Sequence, residues 1–486
     1  MAGIARSLTI SLLERYIIIG LQVVSFFILA RLLTPKEIGL FSVAVAVIGI
    51  AQILRDFGIG SYLIQEKELT QERIRTAFTI TLIFSTGLFL LMLLSANPVA
   101  MYYKDERLAG VLRLLSINFL FIPFNTTTIA ILKRNMQFGI LAGFNISSAV
   151  TGTATALIFA ASGAGYNALV YSSIASTLTI VMAGALFRRR EFFLRPSLAG
   201  WQHVVKFGSQ IAFTSVLTHV AVNINDLVVG RVLGFSAVGI LSRAQGVMNI
   251  FHRDIMTAIR NVAYPGFSQA YRNGGDLESI HTRSVTALTA VAWPFYGFFA
   301  LFPLESLRLL FGPQWDAAAP LVPVFCFAGA IAAIWSLGPN LIVAKGRVDL
   351  ITRTEIIIQP FRILLLVVCA FFFDTLMPFA LALLIIYSLH LFNFYWHKQK
   401  TLPTEWGSLF KGLRISGFLT MITLLPAVIV QLVLSVREIQ VSEYFLVPCL
   451  AFLTLIVWIS ALRLTNHPSL YDPIFPESIR SRIAKK

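Results

Sequence analysis

What this chain has least of is charge. Of its 486 residues, 13% are Asp, Glu, Lys or Arg and 57% are hydrophobic, and the mean hydropathy is +0.78. Soluble domains carry about 25% charged residues, so about half the usual charge is missing, and the deficit runs the length of the chain. Cysteine is also scarce. Cys326, Cys369 and Cys449 each sit in an apolar run without a second cysteine at C-x-x-C spacing. That excludes a dithiol or zinc ribbon and leaves three small packing residues. The sequence has no G-x-x-x-x-G-K-[ST] loop, no H-E-x-x-H and no D-x-D triplet. ATP coupling within the chain, zinc hydrolysis and metal–nucleotide chemistry are therefore not expected, nor is any cofactor. The longest loops, 188–204 and 262–283, are each about twenty residues. Neither is long enough to form a soluble catalytic domain.

What is present is a long series of apolar runs. Each is long enough to cross about 30 Å of hydrocarbon as a helix, and alternating barrel-type strands are absent, so a helical bundle follows. Fourteen spans are read at about 11–31, 39–64, 76–96, 108–131, 138–161, 165–187, 205–229, 235–258, 284–303, 318–343, 351–373, 376–396, 413–434 and 443–462. No small-residue cleavage site follows the first run, which argues against a cleaved signal peptide. Lysine and arginine give the direction. With the N-terminus inside, cytoplasmic segments hold 26 of the 39, outer segments hold 7 and six lie within spans. Both termini are thus expected in the cytoplasm. The formal net charge of +16 then reflects loops facing anionic lipid rather than a nucleic-acid surface.

The chain also repeats itself. Arg31 to Ala44 (RLLTPKEIGLFSVA) aligns at an offset of 200 with Arg231 to Ala244 (RVLGFSAVGILSRA), sharing Arg, Leu, Gly, Ser and Ala. Arg55-Asp56 is matched, after a slip of two, by Arg253-Asp254. A six-helix unit is even-numbered, so both copies enter the membrane from the same side, as in transporters with two bundles flanking a path. The expected organisation is an N-lobe over 1–187, a basic amphipathic linker over 188–204 and a C-lobe over 205–400. Two further helices and a cytoplasmic tail fill 401–486.

Four stretches carry a family resemblance: Ala30–Phe41 (ARLLTPKEIGLF), Leu54–Gly60 (LRDFGIG), Asn225–Gly234 (NDLVVGRVLG) and Leu310–Trp315 (LFGPQW). In order and spacing the chain resembles the polysaccharide exporters of the multidrug/oligosaccharidyl-lipid/polysaccharide flippase superfamily, of exopolysaccharide, colanic-acid or teichuronic-acid type. The likeness covers roughly residues 1–400. It implies an all-α integral membrane fold like that of multidrug extruders and flippases, with two six-helix lobes around a V-shaped cavity. It also implies alternating access and an undecaprenyl-diphosphate-linked oligosaccharide as cargo, moved to the outer leaflet of a bacterial inner membrane. A cation-coupled multidrug antiporter and a lipid-linked peptidoglycan-precursor flippase remain alternatives within the superfamily. An enzyme of polysaccharide assembly is the alternative outside it, and no catalytic constellation supports that one.

An ionisable side chain inside a span costs several kcal/mol unless it is used or paired, so depth ranks the candidates. Arg362 lies about twelve residues into its span, near the midplane; Arg253 and Arg55 lie in the cytoplasmic half, and Arg243 in the outer half. These four are expected to line the cavity and draw in the diphosphate or acidic sugars, because guanidinium grips such groups in a bidentate fork. The competing reading neutralises each one locally, although Arg55 with Asp56 and Arg253 with Asp254 are sequence neighbours and do not face each other on a helix. Arg15 and Arg113 lie close enough to a membrane face to snorkel. For a coupling ion (H+ or Na+), Asp226 with Asn225 and Asn223 forms a polar cluster in span seven, where His219 can titrate. His390 can titrate as well, while Glu14 and Glu355 are read as solvated near the cytoplasmic face. Gly58, Gly60, Pro123, Pro265, Pro294, Pro339 and Pro360 are expected where helices bend, and Asn145–Thr153 where small residues pack closely.

Overall fold

Apolar runs that must satisfy every backbone N–H and C=O without water fold as helices. A computed structural model describes residues 2–56, 59–66, 68–187, 195–202, 223–437 and 441–464; the side chains at 2–9, 11, 12, 53–56, 61, 65, 254 and 435 lie outside that description. Among the described residues there is no strand. The helices are α1 (Ala2–Leu32), α2 (Pro35–Asp56), α3 (Ile59–Gln65), α4 (Gln71–Tyr103), α5 (Arg107–Arg134), α6 (Phe138–Ala161) and α7 (Asn167–Phe187). Residues 223–232 are also helical. There follow α8 (Phe235–Asn249), a π turn (Ile250–Ile255), α9 (Met256–Arg272), α10 (Leu277–Leu301), α11 (Pro303–Phe311), a 3₁₀ stretch (Pro313–Leu321) and α12 (Val322–Trp335). The chain continues through α13 (Gly338–Ala344), α14 (Val348–Phe372), α15 (Leu376–Gln399), α16 (Trp406–Val436) and α17 (Glu443–Leu464).

Helix starts follow local chemistry. At α2, Glu37 Oε2 accepts from the Thr34 N–H at 2.8 Å while the Glu37 N–H reaches Thr34 Oγ1 at 3.4 Å. This is a reciprocal capping box, and Pro35 occupies the first helical position, where its missing N–H does no harm. Thr70 caps α4 by accepting from the Arg73 N–H at 3.2 Å, and Asp276 caps α10 by accepting from the N–H groups of Glu278 and Ser279. Pro123, Pro265, Pro294 and Pro360 lie inside helices, whereas Pro339 opens α13 just after α12 ends.

Twelve helices among the described residues are long and apolar enough to cross a membrane. They coincide with twelve of the fourteen expected spans. Most of span seven lies outside the description. Span eight, expected over 235–258, is one continuous helical run with a π turn inside it, and it extends through α9 to Arg272. The second expected span, 39–64, is helical over its described residues, in α2 and α3.

The chain forms two compact units, Met1–Gly239 and Ile240–Lys486. In the first, α4 packs along α5, α6 along α7, and α1 against α6. The α6–α7 seam is the small-residue run foreseen from sequence. Ser148 Oγ donates to Ser176 O at 2.9 Å and Ser172 Oγ to Gly152 O at 2.8 Å, and a Cβ on Gly152 would lie 2.0 Å from Ser176 Oγ. The described part of the basic linker is tied to α4, with the Ser197 N–H on Thr79 Oγ1 and Thr76 Oγ1 on Ala199 O, both at 2.8 Å. In the second unit α10 packs against α12 and α16, α15 against α12 and α14, and α16 against α17. Of the cysteines, Cys326 and Cys369 are buried as expected; Cys449 is exposed, because it lies on a face of α17 that no neighbouring helix covers.

Candidate functional site

Inside the second unit five elements bring polar and aromatic side chains together. On α14, Glu355, Gln359 and Arg362 recur at i, i+4 and i+7 and so form one stripe. Gln359 Nε2 donates to Glu355 Oε2 at 2.7 Å. Pro360, inside the same turns, leaves the Ile356 carbonyl without its helical donor. Antiparallel α15 presents Tyr387 and His390 to this stripe, and Asn393 Nδ2 donates to Thr354 O at 3.1 Å to hold the two helices in register. The last residue of α12, Trp335, stacks on the His390 ring at 3.9 Å with an interplanar angle of 5°. From the π turn His252 meets Trp335 and Tyr387 edge-on, at 6.4 and 5.9 Å between ring centroids. Arg260 Nη2 donates to the His252 carbonyl at 3.1 Å.

The cluster is rich in donors. Trp335 Nε1 and Arg260 Nε are buried without a hydrogen-bond partner, and so is the acceptor Gln359 Oε1. A buried donor left unmet costs about 1–3 kcal/mol. These two donors, one of them on the Arg260 guanidinium itself, with Arg362 in the same cluster, suit an anion that supplies several oxygens at once.

Within the second unit, Arg362 and Arg243 lie in different surroundings. Arg362 is in the cluster, half-buried. Arg243 is 7% exposed and lies over the rings of Trp315 and Phe311, at 5.1 and 5.6 Å from the centroids. Those rings belong to the LFGPQW stretch at the opposite end of α12 from Trp335, about 20 Å away along a 14-residue helix. Arg243 therefore makes cation–π contacts in an aromatic shell. Arg253 is exposed on the π turn, where its carbonyl accepts from Thr257 Oγ1 at 2.6 Å. Of Arg55 only the backbone is described, as part of α2.

Of the ion-coupling candidates, Asn223, Asn225 and Asp226 fall in the first unit and His390 in the second. Asn225 is 4% exposed and its Oδ1 is buried without a partner. Asp226 and Asn223 are half-buried beside it in the chain, and Tyr103 Oη donates to the next carbonyl, Leu227 O, at 3.2 Å. His219 lies outside the described residues. Close by in sequence, Arg231 lies over the Tyr102 ring at 4.8 Å. At the start of α5, Arg107 donates to both Asp105 oxygens, at 2.9 and 2.6 Å. That hydrogen bonding holds the Asp105 carboxyl below its ordinary value. Glu14 pairs with Asn145 Nδ2 at 2.7 Å and Arg113 with Asn97 Oδ1 at 2.8 Å.

Two further features escaped the sequence reading. Lys398, just past the expected end of span twelve at 396, is fully buried and paired with Glu278, and its Nζ also donates to Thr404 Oγ1 at 2.9 Å. An apolar cavity of about 330 Å³ lies among α10, α11, α16 and α17, lined by residues that include Phe295, Phe298, Leu309, Val447 and Trp458. Trp335, Tyr387, Gln359 and Arg260 were also missed. An aromatic or amide inside a membrane helix carries no signal until its neighbours are known.

Residues 28–320 match the model of a family described as polysaccharide biosynthesis protein. The chain is 23% identical over 345 residues to the lipopolysaccharide biosynthesis protein WzxC of Escherichia coli (strain K12), covering 70% of each chain. It is 24% identical over 343 residues to the teichuronic acid biosynthesis protein TuaB of Bacillus subtilis (strain 168), covering 68% of this chain and 69% of that one. Its fold superposes on a lipid II flippase MurJ in an inward closed conformation with a TM-score of 0.71 at 12% identity, over 95% of this chain and 98% of that one. The architecture is thus an all-α, multi-pass membrane fold of the flippase type.

Proposed function

The chain belongs to the polysaccharide biosynthesis protein family, and we propose that it is a flippase that carries a lipid-linked oligosaccharide from the cytoplasmic to the outer leaflet of the inner membrane. The family match over 28–320 is the observation that carries this reading; relatives named for lipopolysaccharide and teichuronic acid biosynthesis support it. The cargo is an oligosaccharide on undecaprenyl diphosphate. Its diphosphate meets Arg362 and Arg260, with Trp335 Nε1 as a further donor, while its sugars pass the aromatic rings of the cluster. The apolar cavity bounded by α16 and α17 takes part of the prenyl chain, its lining being as apolar as the lipid the chain leaves. No bond of the cargo is made or broken, so the chain acts as a transporter without catalysis. Both termini face the cytoplasm, and a proton or sodium ion drives the return.

The cationic character of the cluster favours this cargo over a cationic drug, which guanidinium would repel. Proteoliposomes holding a fluorescent undecaprenyl-diphosphate-linked oligosaccharide test the reading by the rate at which label becomes accessible on the far leaflet. Wild type is expected to accelerate that transfer. Arg362→Ala is expected to slow it about tenfold or more, the loss of one charge-assisted contact, and Arg362→Lys to restore part of it. Absence of transfer with the wild-type protein, or equal rates with Arg362→Ala, would refute the assignment.

A further inference from the structure

His390 lies deep in the second unit, its side chain 12% exposed, between two groups that both welcome a proton on its ring. On one side the Trp335 indole stacks face to face at 3.9 Å, a surface that attracts a cation. On the other, Glu355 Oε1 stands 3.7 Å from Nε2. That distance is within ion-pair range but too long for a hydrogen bond. A neutral ring makes nothing of the gap; an imidazolium closes it into a charge-assisted pair. Glu355 is 41% exposed, lies within two turns of the start of α14 and is braced from behind by Gln359, so the carboxylate is far more accessible than the ring. A proton therefore has a way in.

Other charges face the same ring. Arg362, on the Glu355 helix, acts on it directly and on Tyr387, which sits one turn before His390. From the π turn and α9, His252 and Arg260 form a second basic pair, with His252 in electrostatic contact with His390. Trp335 on α12 brings no titratable group. Two neighbours thus stabilise an imidazolium, while burial foremost and then Arg362 oppose it, and a bound anion would offset part of that opposition.

We infer that His390, held between Trp335 and Glu355, is a proton-binding site whose occupancy rises when a diphosphate sits on Arg362 and Arg260. The inference rests on the reading of those arginines as the headgroup site. The proton comes from solvent past Glu355 and adds to a ring nitrogen, so the ring gains one positive charge and no other bond changes. Linkage then works in both directions: the headgroup raises proton affinity, and the proton raises headgroup affinity by the same factor. This also gives the buried histidine and the half-exposed carboxylate one shared task.

The experiment uses the full chain in lipid nanodiscs with farnesyl diphosphate as the probe. Calorimetry in two buffers of different ionisation enthalpy counts protons taken up on binding near pH 7. The His390→Gln variant is the reference, so the probe's own protons cancel in the difference. Wild type is expected to take up more proton than His390→Gln. Its affinity is expected to rise about tenfold more than the variant's from pH 8 to pH 5.5, a coupling of ordinary size. Glu355→Gln, an isosteric change on a half-exposed side chain, is expected to move the uptake to lower pH, and it keeps the test open if His390→Gln folds poorly. Equal uptake in wild type and His390→Gln overturns the proton site and leaves the flippase reading standing. If no form binds the probe, the headgroup site fails, and histidine-labelled NMR of the wild type decides the proton separately. A His390 signal that does not titrate between pH 5 and 8.5 overturns it.

Discussion

Lys398 shows how far a charge can be drawn inward when its partners come with it. Its side chain is fully buried against Glu278 from the start of α10, Thr404 Oγ1 accepts from the same Nζ, and the Glu405 N–H donates to the other Glu278 oxygen at 3.3 Å. Truncating one partner leaves the other charged and dry, which costs about 3–5 kcal/mol. Lys398→Met is therefore expected to lower the Tm in detergent sharply, and the Lys398→Met/Glu278→Gln double variant to recover most of the loss. A single variant as stable as wild type would show that the pair contributes nothing. At this scale the sequence was partly legible. Depth along a span singled out Arg362, and helical spacing aligns Glu355, Gln359 and Arg362 on one stripe. Lys398 carries no sign of burial in the sequence, because it sits beside Lys400 past the end of an apolar run. Arg243 read as cavity-lining because nothing in the sequence places Trp315 and Phe311 over it.

Among the elements, the repeat finds a physical cause in two of its glycines. Gly39 and Gly239 occupy equivalent positions in the two copies, and within the first unit their backbones meet. A Cβ at Gly39 would lie 1.7 Å from the Phe235 oxygen, and one at Gly239 would lie 2.0 Å from the Pro35 oxygen. Real Cβ atoms do not approach backbone that closely, so only glycine permits this crossing of α2 with the first turn of α8. Gly239→Leu is expected to cost about 1–3 kcal/mol, the usual penalty of overpacking, and Gly239→Ala to act in the same direction. Thermal unfolding checks both, and unchanged melting would mean that the crossing yields freely. The capping box of Thr34 and Glu37 has no counterpart at Gly234 and Ala237, so the repeat preserved the crossing and let the cap diverge. The π turn is the opposite case. Its hydropathy matches a continuous span, and only the packed structure sets His252 on a widened turn.

For the whole molecule, the asymmetry of lysine and arginine predicts which loops face which side. In a cysteine-free variant, cysteine introduced at Ser162, between α6 and α7, is expected to react with a membrane-impermeant maleimide in intact cells. Cysteine introduced at Asn273, between α9 and α10, is expected to react only after permeabilisation. The reverse pattern would invert the assigned topology. That the chain crosses a membrane many times as helices, that it belongs with polysaccharide flippases and that it carries basic side chains at depth were all determined by sequence alone. Hydrocarbon allows few backbone solutions, and a charge deficit spread over the whole chain leaves no other reading. The tertiary structure alone decided which basic groups share a neighbourhood. It set Arg362 with Arg260, His252 and His390 and sent Arg243 to the far end of α12, because helix periodicity specifies a face, whereas only packing specifies what that face meets.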